Sequence, residues 1–180
     1  MDSPKPDTSS ASQPPETIGL LSDSHGNVDI TREAVNLLMD HDCDLLIHLG
    51  DVESRLVLDQ LAGLPARVVF GNCDDERDLA AYAQAIDLQV DHPAGILPLP
   101  GGRSLGFTHG HDSIALRSMI AKKPDFIAHG HSHAVRDEIF DGIRYLNPGA
   151  LHRATRYTVG LLRPRTDVYE VVEVASSGSG

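Results

Sequence analysis

Five short aliphatic runs, each closing into a loop of Asp, His, Asn and Gly, constrain this chain more than any other feature. Thr17-Ile18-Gly19-Leu20-Leu21 leads into Asp23-Ser24-His25-Gly26-Asn27. Leu45-Leu46-Ile47-His48-Leu49 leads into Gly50-Asp51. Ala66-Arg67-Val68-Val69-Phe70 leads into Gly71-Asn72-Cys73-Asp74. Ser104-Leu105-Gly106-Phe107-Thr108 leads into His109-Gly110-His111, and Phe126-Ile127-Ala128 into His129-Gly130-His131-Ser132-His133. Short aliphatic runs bounded by breakers read as buried strands. In an α/β sheet, ligands bind in the crevice outside the carboxyl ends of the strands, so five such loops converge on one site.

Helical spacing fills the gaps between the runs. Ile30, Ala34, Leu37 and Leu38 mark one face of a helix over 28–39. Leu56, Leu58, Leu61 and Ala62 suggest a second, Leu79, Ala83 and Ile86 a third, and Ile114, Leu116, Met119 and Ile120 a fourth. Strand–helix alternation implies βαβ units with helices on the sheet faces. The end of the chain is β-rich, with strands at 138–140, 143–147, 158–162 and 168–174 and a tight turn at Asp141-Gly142. The expected fold is an α/β sandwich, with the late strands extending or facing the first sheet.

Residues 1–16 are rich in Ser, Pro and Asp and lack the apolar core of a secretory signal, so they are expected to be a disordered tail. Residues 175–180 are expected to be a second, flexible tail, leaving one domain over 17–174. No run of residues is apolar enough to span a membrane. The net charge of −11 disfavours nucleic acid and anionic membrane as partners. Two cysteines are too few for a disulfide framework and fit a cytoplasmic location. Cys43 is expected to be structural; His41 and His92 have no motif support and are expected at the surface.

Ten His against this acidic background point to metal, because neutral imidazole is the commonest metal ligand. The loops offer seven donors: Asp23, His25, Asp51, Asn72, His109, His131 and His133. A mixed oxygen and nitrogen set suits Mn, Fe, Zn, Ni or Co better than Ca. Seven donors exceed one tetrahedral site and fit two metals sharing a bridging carboxylate. Each residue alone has a plainer reading. Asp23 could cap the helix that follows, Asn72 could be a turn residue, and His109 or His131 could be a hydrogen-bonded core histidine. Their joint occurrence, each after a strand, sets those readings aside.

The order Asp-x-His, Gly-Asp, Gly-Asn-x-Asp, His and Gly-His-x-His resembles the calcineurin-like metallophosphoesterases. Ser22-Asp23-Ser24-His25-Gly26-Asn27 and the late Asn147-Pro148-Gly149 look most like the small single-domain bacterial and archaeal phosphodiesterases of that superfamily. The resemblance implies an αββα sandwich of two mixed sheets flanked by helices. It also implies hydrolysis of small phosphate esters, most readily diesters. By that resemblance Asp23, His25, Asp51 and His133 hold one divalent ion, most readily Mn. Asp51, Asn72, His109 and His131 hold the other. A hydroxide shared by the two metals then attacks phosphorus in line. The resemblance further implies a homodimer or homotetramer.

One position departs from the pattern. Many relatives carry His where this chain has Cys73, and that His is thought to stabilise the transition state or protonate the leaving group. His111 is the substitute expected here. His48, Cys73, Asp74 and His129 are expected behind the ligands. Asn27, Arg153 and Arg156, with His152 nearby, are candidates for substrate contact. The competing readings are a mononuclear hydrolase and a binding scaffold resembling the retromer subunit of this fold.

Overall fold

The computed structural model describes residues 13–175. Of the expected tails at 1–16 and 175–180, residues 1–12 and 176–180 lie outside the described residues. The first sheet begins with β1 (Ile18–Leu21), followed by α1 (Val28–Asp40), β2 (Leu45–His48), α2 (Arg55–Asp59), β3 (Ala66–Val68), α3 (Glu76–Ala85) and β4 (Gln89–Val90). The second begins with β5 (Ala94–Pro98) and β6 (Ser104–Thr108), then α4 (Ser113–Ala121), β7 (Phe126–Ala128), β8 (Arg136–Phe140) and β9 (Ile143–Asn147). The chain then returns to the first sheet with β10 (Thr158–Arg163) and β11 (Val168–Glu173).

The first sheet runs β11-β10-β1-β2-β3-β4 and the second β5-β6-β7-β9-β8. Strands β1 to β4 are parallel, with β10 antiparallel against β1. Strands β6, β7 and β9 are parallel, flanked by antiparallel β5 and β8.

Side-chain alternation divides the runs between two layers. Ile18 and Leu20 of β1, Leu105 and Phe107 of β6, and Phe126 of β7 fill the space between the sheets. The alternate positions face helices. Leu21 meets the cluster of α1 to α3, and Ile127 meets Met119 of α4. Both faces of the central strands are therefore buried, which is why they read as continuous aliphatic runs. The result is the expected αββα sandwich. Among the described residues, no helix is long and apolar enough to cross a membrane.

The local differences from the expected elements have identifiable causes. α2 is five residues long, with Val57 and Leu58 inward and Leu56 59% exposed. The chain leaves the helix through short-range turn bonds to Gly63, at positive φ, and Pro65. Ile114 is 73% exposed at the first turn of α4, so it is not on the buried face. The edge strand β5 was hidden by Pro93, Gly95 and Pro98, since Pro is tolerated only at sheet edges. The β8–β9 hairpin turns at Asp141 and Gly142, both at positive φ, as a two-residue turn of this twist demands. His92 is not free at the surface. Its ring accepts the Phe70 N–H and lies 3.2 Å from Glu76.

Candidate metal centre

Strands β1, β2 and β3 of one sheet and β6, β7 and β9 of the other end at the same edge, and backbone bonds stitch their loops together. Asp23 N–H donates to the Gly50 carbonyl and His25 N–H to the Asp51 carbonyl. Within the second sheet, Gly130 N–H donates to the His109 carbonyl, and across the sheets Leu151 N–H donates to the Ser22 and Asp23 carbonyls. The loops pack so closely that two positions admit only glycine. A methyl built on Gly71 would overlap Asp51 Oδ1, and one on Gly130 would overlap Ser22 Oγ.

This convergence gathers ligand atoms into two groups, each within 4.8 Å. One is Asp23, His25, Asp51 and His133; the other is Asp51, His109 and His131. Asp51 belongs to both. Its Oδ2 lies 3.5 Å from His25 Nε2 and 3.4 Å from His109 Nε2. His133 Nε2 lies 3.3 Å from Asp23 Oδ1 and 3.2 Å from His25 Nε2. Asn72, in the loop after β3, stands beside this set. Its exposed side chain donates to Cys73 Sγ at 3.4 Å, while Cys73 N–H donates to Asp51 Oδ1 at 3.0 Å.

The imidazoles are oriented for coordination. His109 Nδ1–H donates to the Leu49 carbonyl at 2.8 Å, which turns Nε2 towards Asp51. That Nε2 is buried and has no hydrogen-bond partner. His25 Nδ1 is 2.7 Å from Glu53 Oε1, which leaves Nε2 facing His133 and Asp51. A carboxylate or carbonyl behind each imidazole is the usual support for a metal ligand. The set fits a metal on this evidence, because an orphaned buried nitrogen and two facing Nε2 atoms among carboxylates are donors that a cation between them would satisfy.

Electrostatics follow the same layout. Burial opposes charge on Asp51, but the close His109 imidazole, the Cys73 N–H that donates to it and the His25 ring hold its pKa well below the usual range. Burial pushes the Asp23 pKa up. Burial lowers the His109 pKa, but Asp51 outweighs it and the net shift is upward.

The residues expected behind the ligands hold loops in place. His48 is fully buried, and burial lowers its pKa to about 3. Its Nδ1 accepts the Gly50 N–H at 3.2 Å, so Nε2–H donates to Ser24 Oγ at 2.8 Å. Asp74 accepts from Glu53 and Gly71 N–H, joining the loops after β2 and β3. His129 sits between the Gly130 carbonyl and Arg136. Partial desolvation, Asp51 and Glu53 raise the Cys73 thiol to about 11. The exposed His111 ring lies 5.3 Å from His109 and 6.2 Å from His131, and partial burial together with those imidazoles lowers its pKa.

Asn27 caps α1 through Oδ1 and donates to the Leu151 carbonyl at 3.0 Å, so its amide is engaged in holding loops. Arg153 and Arg156 line a cleft of about 660 Å³ that His133 also lines. His152 packs against His25, with ring centroids 5.6 Å apart. Sequence reasoning missed Glu53, whose only signal was its place two residues after Asp51. It also missed that His25, Glu53 and Cys73 form a third close grouping.

An αββα sandwich with an Asp/His crevice at its strand ends is the architecture of a metallophosphoesterase. The chain belongs to the calcineurin-like phosphoesterase superfamily, whose domain model matches residues 17–167. It is 29% identical over 136 residues to phosphodiesterase MJ0936 of Methanocaldococcus jannaschii, covering 73% of this chain and 82% of that one. A solved archaeal phosphodiesterase superposes with a TM-score of 0.76 at 25% identity, over 87% of this chain and 99% of the other. The phosphoesterase Yfce of E. coli shares the fold, with a TM-score of 0.66 at 19% identity over 88% and 100% of the two chains. So does Vps29 of Entamoeba histolytica, with a TM-score of 0.61 at 18% identity over 88% and 99%. The likenesses at 18–19% identity speak for the fold alone.

Proposed function

We propose that the protein is a phosphodiesterase that holds two divalent ions, most readily Mn, with Ni, Fe, Zn or Co as alternatives. The observation that carries this reading is the position of Asp51, whose carboxylate belongs to both donor groups. Asp23, His25 and His133 complete one ion's set. His109 and His131 complete the other's, with the Asn72 amide as its remaining oxygen donor. When bound, such a pair supplies a more acidic water and offsets the charge on the phosphoryl oxygens.

The chain's own residues do the rest. Leu49 and Glu53 hold His109 and His25 with Nε2 inward, and Asp74 fixes the loop that carries Asn72. The net reaction consumes one water, breaks one P–O bond, and releases an alcohol and a phosphomonoester. Cys73, with its raised pKa, keeps its proton at neutral pH. His111 is the group that meets the leaving oxygen. Its lowered pKa means that it holds its proton less firmly than an ordinary imidazole. Two free cysteines and an acidic domain fit a cytoplasmic enzyme. We further propose one domain over 17–174 and assembly as a dimer or tetramer.

The test is to strip the full chain of metal and reload it separately with Mn, Ni, Co, Zn and Mg. Hydrolysis of an aryl phosphodiester is compared with that of the aryl monoester. The reading expects metal-dependent turnover with the diester preferred. No turnover of either ester with any metal would move the protein to the scaffold reading.

A further inference from the structure

The cleft beside the metal centre is larger and differently charged than a single phosphate requires. Its volume of about 660 Å³ is that of a site for an organic ligand. His133, whose Nε2 lies 3.3 Å from Asp23, is one of its lining residues, so the cleft adjoins the donor cluster. Arg153 and Arg156 line it as well, with Val135, Val171 and Glu173. The segment that carries both arginines is anchored to the site, because Leu151 N–H donates to Ser22 and Asp23 and His152 packs on His25.

The arginines are notable in an acidic chain. Arg67 and Arg144, for example, are each held by a carboxylate. Arg153 has no acidic partner among the described residues, and it sits at φ 49, a backbone conformation its side chain does not favour. Arg156 has only Glu173, at 3.9 Å between two exposed side chains, an arrangement that neutralises little. Guanidinium forks so weakly paired, lining a cleft, are suited to a second oxyanion.

We infer that this cleft receives the non-leaving arm of a phosphodiester, and that this arm bears an anionic group of its own, bound by Arg153 and Arg156. The inference rests on the phosphodiesterase reading above.

Three p-nitrophenyl diesters test it. They share the leaving group and differ only in the retained arm: 3-methoxypropyl, 3-carboxypropyl or 3-(phosphonooxy)propyl. In each, water adds to phosphorus, the bond to nitrophenolate breaks, and the arm stays on the phosphomonoester. The metal-loaded full chain is expected to favour an anionic arm over the methoxy arm by about tenfold or more in kcat/KM. Preference for the phosphate arm alone, or for both anionic arms, supports the inference and tells the two chemistries apart. The ratio is expected to fall to about one in the Arg153→Ala/Arg156→Ala double variant and to persist in Arg77→Ala, which lies outside the cleft. A ratio near one in the parent chain, or an unchanged ratio in the double variant, overturns it. If none of the esters is hydrolysed with any metal, the phosphodiesterase reading fails by itself. Calorimetric titration with 3-(phosphonooxy)propyl methylphosphonate then decides the cleft separately. About tenfold weaker binding by the double variant supports it, and equal binding overturns it.

Discussion

Single residues in this crevice are held in conformations that sequence propensity does not favour. Asp23, His25, Asp51, His131 and His133 all have positive φ. For residues other than Gly this costs on the order of 1–3 kcal/mol each, and it persists only where surrounding structure enforces it. The enforcing contacts are those that aim side chains inward. His111 carries the residue-scale prediction. If it assists departure of the leaving oxygen, its removal should matter most when that oxygen is strongly basic. His111→Ala should lower kcat for an alkyl phosphodiester by about 100-fold, but for a nitrophenyl diester by only about threefold. Equal losses on both substrates would remove His111 from that role.

At the scale of elements, the loops are tied to the strands and helices beneath them. His48, the last residue of β2, joins Gly50 to Ser24, and the Ser24 hydroxyl lies 3.1 Å from Thr31 of α1. Because burial lowers the His48 pKa to about 3, the folded chain refuses a proton that the unfolded chain accepts below about pH 6.5. Stability contributed by neutral His48 is therefore intact above that pH and declines as pH falls towards about 3. The slope is about 1.4 kcal/mol per unit. Denaturant melts of metal-free protein should show a slope shallower by about one proton in His48→Gln than in the parent between pH 6 and 4. Parallel slopes would show that His48 is not the group refusing protonation.

The strands that bear these loops were legible in the sequence because both their faces are buried. β6, β7 and β9 were delimited at 104–108, 126–128 and 143–147, where the structure places them. β4 and β5 were not legible, being a two-residue strand and a Pro-flanked edge. α2 was overextended because Leu61 is buried from a turn rather than from a helix. Asp23, His25, Asp51, His109, His131 and His133 stood out by type and position. Glu53 and the cleft did not, since both depend on a chain reversal at the Asp51 loop and on the return of β10 beside β1.

For the molecule as a whole, the two sheets have one consequence for chemistry: they deliver loops from both sides onto Asp51. His25 and Asp23 come from the first sheet, His109, His131 and His133 from the second, and Asp51 lies between them. The acidic net charge then carries little weight against binding a phosphate ester, because bound cations invert the local potential. The most direct measurement compares bound metal per chain and diester turnover in the parent and in Asp51→Asn. The account predicts two ions and metal-dependent turnover in the parent. In the variant it predicts fewer ions and a kcat lower by about 1000-fold or more, as expected on losing a principal catalytic group. One ion per chain at full activity, or unchanged turnover in Asp51→Asn, would contradict it.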